Sequence, residues 1–108
     1  MVPAFLADTW DYDGVNWSLL APTTNPSARS DHAMVYDSAR GRIVLFGGLD
    51  ASFSYLADTW EYDGVNWVLR TPAISPPARA YHAMAYDSVR GQVVLFGGGS
   101  NVVGPLSE

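Results

Sequence analysis

The stretch LADTW occupies residues 6–10 and returns unchanged at residues 56–60, which sets a period of 50 residues. Outward from it, residues 6–48 align without a gap on residues 56–98, and 29 of the 43 positions are identical. Residues 106–108 fall in register with residues 56–58, so a third unit begins there. A repeat of this length is typical of solenoids and propellers.

Each unit contains four short strand-like runs separated by turn residues. Asp13-Gly14 and Asp63-Gly64 are signals for tight hairpins. Proline-bearing stretches at 21–28 and 71–78 cannot continue a central strand and indicate crossings between sheets. The pattern predicts an all-β fold with blades of four antiparallel strands. The predicted strands are 7–12, 16–20, 31–37, 42–47, 57–62, 66–70, 81–87 and 92–97.

The composition excludes several classes of function. The 108-residue chain has a net charge of -5, its six basic residues are all arginine, and it has no cysteine. Acidic chains without a basic patch do not suit nucleic acid or anionic membranes. Lysine Schiff bases, thiol nucleophiles and cysteine metal sites are also excluded. No signal peptide or transmembrane segment is predicted, and the localisation stays open.

The ordered motifs of each unit resemble the kelch repeat. A double glycine follows an apolar strand, a tyrosine lies in the next strand, a tryptophan opens the one after, and an arginine precedes the first strand. The pairs of copies are Gly47-Gly48 and Gly97-Gly98, Tyr12 and Tyr62, Trp17 and Trp67, and Arg29 and Arg79. The run D-T-W-x-Y-D-G-x-N-W is similar to kelch modules of large bacterial proteins, which are often extracellular.

The resemblance implies an order for the strands within a kelch-type β-propeller blade, from the innermost strand A to the outermost strand D. On that order, residues 1–20 form a C-D half-blade and residues 29–70 a complete blade. Residues 79–108 form an A-B half-blade and the start of the next repeat. The chain therefore carries about two blades, and we expect oligomerisation to close the propeller.

Two pairs of polar residues have both a chemical and a structural interpretation. His32 and His82 would recur around a ring axis as a metal site, or they are structural residues of packed strands. Asp8 and Asp58 are either acids with a raised pKa or carboxylates paired with backbone N–H groups or an arginine such as Arg29 or Arg79. The structural interpretation is favoured for both pairs. We expect no enzyme, no catalytic residue, no metal and no cofactor.

The function expected from the sequence is self-assembly of an engineered, ancestral-like or excised double repeat. A homotrimer with six blades is predicted, with an eight-bladed homotetramer as the alternative. The aromatic residues of strands C and D are expected to pack between blades. The residues expected to close a blade between chains are Asp8, Trp10, Tyr12, Trp17, Val94, Leu95 and Phe96. The other function left open is binding of a protein or glycan through rim loops at 49–55 and 99–104.

Overall fold

The computed structural model describes residues 4–100, which form an all-β fold of eight strands. The four-stranded sheet β3-β4-β5-β6 is flanked by the two-stranded sheets β1-β2 and β7-β8. Every pairing is antiparallel, as predicted. Within residues 4–100, no helix has the length and apolar character needed to cross a membrane. The strands are β1 (Thr9–Tyr12), β2 (Trp17–Leu20), β3 (Ala33–Asp37), β4 (Arg42–Leu49), β5 (Tyr55–Tyr62), β6 (Trp67–Arg70), β7 (Ala83–Asp87) and β8 (Gln92–Phe96).

The central pair of the complete blade, β4 and β5, is longer than the sequence predicted. The register shifts at a bulge between Phe46 and Gly48, after which pairing resumes and reaches Leu49 opposite Tyr55. Gly47 has a φ of 72°, and a Cβ there would lie 2.6 Å from the Arg79 carbonyl oxygen. Glycine therefore allows both the bend and the close approach. The predicted rim loop at 49–55 shortens to residues 50–54.

Several strands begin later than predicted. β3 and β7 start at Ala33 and Ala83 rather than at 31 and 81, because Asp31 and Tyr81 adopt positive φ angles of 58° and 64°. A left-handed residue interrupts the extended backbone that a strand requires. β1 similarly begins at Thr9 rather than at 7.

The first strands of consecutive blades converge. β3 lies close to β7 and β8. The Tyr81 N–H donates to the Asp31 carbonyl oxygen at 3.0 Å, which joins the two blades just before these strands begin. The Gly48 N–H donates to the Arg79 carbonyl oxygen at 2.9 Å across the same boundary. The arrangement is that of neighbouring propeller blades with strand A on the inside.

Candidate assembly interface

The arginine that precedes the complete blade clamps its third strand. Arg29 donates to both carboxylate oxygens of Asp58, at 2.7 and 2.9 Å, and to the Gly47 carbonyl oxygen at 3.1 Å. Asp58 also accepts the indole N–H of Trp60 at 2.8 Å. Burial alone would raise the pKa of Asp58, but these donors outweigh it and hold the pKa below its ordinary value. The predicted pairing of this carboxylate with an arginine is confirmed.

In the half-blades, Arg79 and Asp8 repeat parts of this hydrogen-bond pattern. Arg79 is buried and donates to the Gly97 carbonyl oxygen at 3.0 Å, as Arg29 does to that of Gly47. Asp8 accepts the indole N–H of Trp10 at 2.8 Å, as Asp58 does from Trp60. Among residues 4–100, only the Asp58 copy of this carboxylate binds an arginine.

Glu61 is a buried carboxylate that was not predicted. It accepts hydrogen bonds from Arg40 at 2.7 Å and from Arg70 at 3.1 Å, and Arg40 also binds Asp37 at 2.8 Å. Burial alone would raise the pKa of Glu61, yet the two arginines hold it below its ordinary value. The sequence offered one signal for this site, an acidic residue within an aromatic strand with Arg40 before it and Arg70 after it. The structure places that residue opposite Val44 of the apolar strand.

His82 is packed between blades. Its Nε2 lies 2.8 Å from the Phe46 carbonyl oxygen, and its ring meets the Phe46 ring edge-on at 5.8 Å. Burial lowers the pKa of His82 despite that hydrogen bond. His32, its copy, is exposed. Nowhere in residues 4–100 do three His, Cys, Asp or Glu side chains come close enough to hold a metal ion.

The tryptophan that opens strand D has opposite environments in its two copies. Trp67 is 5% exposed and donates its indole N–H to Thr9 Oγ1 of the neighbouring blade at 3.0 Å. Trp17 is 64% exposed. Both rings pack on the tyrosine of strand C at 5.1 Å, namely Tyr62 and Tyr12. Packing between blades is thus confirmed for Trp67, whereas Trp10, Tyr12 and Trp17 are exposed in the single chain.

The second glycine-terminated strand is open on one side. Within residues 4–100, β8 pairs with β7 alone, whereas β4 pairs with both β3 and β5. Phe96 is 80% exposed while Phe46, its copy, is 3% exposed. Val94 is exposed as well, and Leu95 is partly covered. β8 therefore presents apolar side chains and a backbone edge that no strand among residues 4–100 pairs.

Within the described chain, β1 lacks a partner on the edge where its copy, β5, pairs with β4. Among the described residues, β1 pairs with β2 alone. The residues expected to close a blade form two groups, which the single chain does not bring together. The groups are Asp8, Trp10, Tyr12 and Trp17, and Val94, Leu95 and Phe96. The structure places the first group on or beside the β1-β2 hairpin and the second on β8.

The sequence that carries this glycine pair, arginine clamp and aromatic hairpin matches the model of a known family. A family model described as the KLHDC2/KLHL20/DRC7 Kelch-repeats domain matches residues 6–106. The chain belongs to the kelch-repeat family. No curated protein matches the sequence. As a kelch-repeat chain, it has blades of the β-propeller type.

Proposed function

We propose that this chain is a structural kelch module that assembles with copies of itself into a closed propeller. The β1-β2 hairpin of one copy completes the β7-β8 half-blade of the next. One observation supports this most strongly. The open edges of β8 and β1 are copies of the edges of β4 and β5, which pair with each other inside the complete blade.

The complete blade gives the register for this contact. Leu45 lies opposite Trp60, and Phe46 lies opposite Thr59. Transferred by 50 residues, the same register sets Leu95 opposite Trp10 and Phe96 opposite Thr9 of the neighbouring copy. Unpaired apolar edges are templates for association, and pairing them satisfies the backbone while it buries β8.

The stoichiometry follows from the geometry of the contact. A head-to-tail contact must close into a ring to remain finite. Each copy contributes two blades' worth of strands, so the blade number is even. Kelch-type propellers usually have six or seven blades, and pairs can build only the first. A homotrimer with six blades is our proposal, and a tetramer with eight is the alternative.

The proposal includes no catalytic activity. The partly buried Asp58 and the buried Glu61 of the complete blade are both held ionised by arginines. Their hydrogen-bonding capacity is engaged in structure, which leaves neither as a proton donor.

Introduced cysteines test the shared blade, because the chain has none of its own. Phe5 and Gly99 are the copies of Tyr55 and Leu49, which face each other in the complete blade. In a Phe5→Cys/Gly99→Cys chain, mild oxidation should give covalent species that end at a trimer. The control, Leu49→Cys/Tyr55→Cys, should cross-link within one chain. Cross-linking in the control with none between double-variant chains would contradict the proposal.

The rim loop supports a second candidate function, the binding of a protein or glycan. Phe53 is 70% exposed and has a φ of 61°, a conformation unfavourable for a bulky residue. The Asp50 carboxylate holds the loop by accepting the N–H groups of Ser52 and Ser54 at 2.9 and 3.0 Å. An aromatic side chain is thus presented on a rigid loop. Of the other predicted rim loop, 99–104, residues 101–104 lie outside the described residues.

A glycan array and a peptide pull-down test this candidate. Binding that is lost in Phe53→Ala and retained in Val15→Ala, which alters an exposed residue of another turn, would support it. Equal binding by both variants would contradict it.

A further inference from the structure

The exposed Trp17 has a buried copy, Trp67, and the contacts of Trp67 indicate which contacts Trp17 could make. Trp67 donates its indole N–H to Thr9 Oγ1, and its backbone N–H donates to the Thr24 carbonyl oxygen at 3.3 Å. The Asn66 side-chain oxygen accepts the Thr23 N–H at 2.7 Å. The ring of Trp67 therefore closes the gap between β1-β2 and the complete blade, and only about 90 Å³ of cavity remains there.

The next gap between blades has copies of several of these wall residues, is lined in addition by Asp37, Arg40 and Glu61, and holds no tryptophan among the residues described. We call it the outer socket and define it by Thr59, Pro72, Pro76, Met84, Val93 and Leu95. Four of these residues are 50-residue copies of residues around Trp67. The copied residues are Thr9, Pro26, Met34 and Leu45. The outer socket encloses about 550 Å³.

We propose that the outer socket is a binding site for Trp17 of a second copy of this chain, an inference that rests on the shared-blade assembly. Trp17 already packs on Tyr12 at the distance that Trp67 keeps from Tyr62, 5.1 Å. The hairpin is thus pre-organised in the conformation that its buried copy adopts. Pre-organised groups lose less entropy when they bind.

The copy relation assigns the polar contacts of the docked ring. The indole N–H of Trp17 donates to Thr59 Oγ1, and the Trp17 backbone N–H donates to the Ile74 carbonyl oxygen. The Asn16 side-chain oxygen accepts the Ala73 N–H. These contacts repeat the three that Thr9, Thr24 and Thr23 make with Asn66 and Trp67.

One difference between the sockets concerns their hydroxyl groups. Thr23 and Thr24 donate side-chain hydrogen bonds to Asn66 and Trp67, but their copies are alanine and Ile74. Ile74 is almost fully exposed. The segment beside the outer socket at residues 73 and 74 therefore lacks these two hydroxyl donors, and the exposed Ile74 side chain gains from being covered by the incoming hairpin.

The decisive experiment compares the mass in solution of three full-length chains: the wild type, Trp17→Ala and Thr59→Val. A buried tryptophan at the centre of a contact is a binding hot spot. Trp17→Ala should fold, because Trp17 is exposed in the single chain, and should weaken assembly by roughly 100-fold or more. Thr59→Val removes only the acceptor of the indole N–H and should weaken assembly by roughly tenfold.

Mixing blocked chains gives a positive signal. Thr59→Trp fills the socket but keeps Trp17, whereas Trp17→Ala keeps the socket and lacks its occupant. Each variant alone should be monomeric, and an equimolar mixture should give a dimer of one copy of each. Folded variants that stay monomeric when mixed would overturn the proposal.

The outcomes separate this inference from the assembly on which it rests. If Trp17→Ala forms the same ring as the wild type at the same concentrations, the socket proposal is wrong while the shared blade stands. If the wild type is itself monomeric, both are wrong. A wild-type ring that Trp17→Ala dissolves and Thr59→Val weakens supports both.

Discussion

β4 and β8 carry nearly the same sequence and have opposite environments. The run V-L-F is buried in β4, where sheet neighbours cover both edges. The same three residues at 94–96 are largely exposed in β8, which has one neighbour within the described chain. Burial here is a property of the neighbours rather than of the residues. The comparison teaches that the same apolar run is buried or exposed according to the strands beside it, and in the proposed assembly a partner strand covers the run of β8.

The largest difference between β4 and β8 is expected when the phenylalanine of each strand is replaced. Phe46→Ala removes a buried ring and should cost about 3–5 kcal/mol of unfolding free energy. Phe96→Ala should leave the unfolding of the dilute single chain within about 0.5 kcal/mol of the wild type. At concentrations that favour the ring, Phe96→Ala should lower the stability as well.

Urea unfolding at low and high protein concentration separates these cases. Equal losses for both variants when dilute would mean that Phe96 is already covered in the single chain.

The arginine clamp gives the next largest difference. Asp58→Asn leaves the buried guanidinium of Arg29 without its charge partner and should cost about 3 kcal/mol. Asp8→Asn should change the dilute single chain by less than about 0.5 kcal/mol. Because the pKa of Asp58 is lowered on folding, its contribution is present above the unfolded pKa and is lost as the pH falls through the folded pKa.

Unfolding curves of both variants between acidic and neutral pH provide the measurement. A flatter acid limb is expected for Asp58→Asn alone, and unchanged curves for both variants would contradict the clamp.

The double glycine allows a comparison at nearly constant backbone conformation. Gly47 and Gly97 have φ angles of 72° and 75°. An alanine Cβ meets the Arg79 carbonyl oxygen at 2.6 Å in the first, and in the second it meets no atom of residues 4–100 within 4 Å. Gly97→Ala should therefore cost only the conformational strain, about 1–2 kcal/mol, and Gly47→Ala should cost more.

Thermal unfolding of the dilute chains measures the difference. The same melting temperature for both variants would show that the close approach at Gly47 relaxes freely.

The smallest expected effect is the pH response of the histidines. Burial lowers the pKa of His82, so the unfolded chain binds a proton more readily than the folded chain. The stability that depends on neutral His82 is complete above pH about 6.5 and declines as the pH falls towards the folded pKa. His82→Gln should flatten that decline.

His32→Gln is the comparison variant. His32 is exposed in the single chain, but partial desolvation of its ring and the charge of Arg29 lower its pKa as well, so this variant should flatten a smaller part of the same decline. A mild-acid decline that persists unchanged in His82→Gln would assign the effect to another group.

The sequence predicted what is local and periodic. The 50-residue period, the turns at Asp13-Gly14 and Asp63-Gly64 and the apolar runs were sufficient for eight antiparallel strands. The pairing of Asp58 with an arginine also followed, because an acidic residue on an aromatic face needs a partner.

What the sequence did not predict depends on residues that meet across the sheet. Glu61 is stabilised by Arg40, 21 positions away, and only the register of β4 and β5 brings that carboxylate inside. The continuation of β4 to Leu49 depends on the bulge at Gly47, which strand patterning reads as an end. The exposure of Trp17 beside the burial of Trp67 depends on neighbouring blades, which one repeat does not encode.

The molar mass of the 108-residue chain in solution tests the central claim most directly. Multi-angle light scattering at micromolar concentration should give three times the 11.7 kDa of one chain, and a chain without residues 1–20 should lose that assembly. A wild-type mass of 11.7 kDa, or a trimer that survives the deletion, would contradict the shared blade.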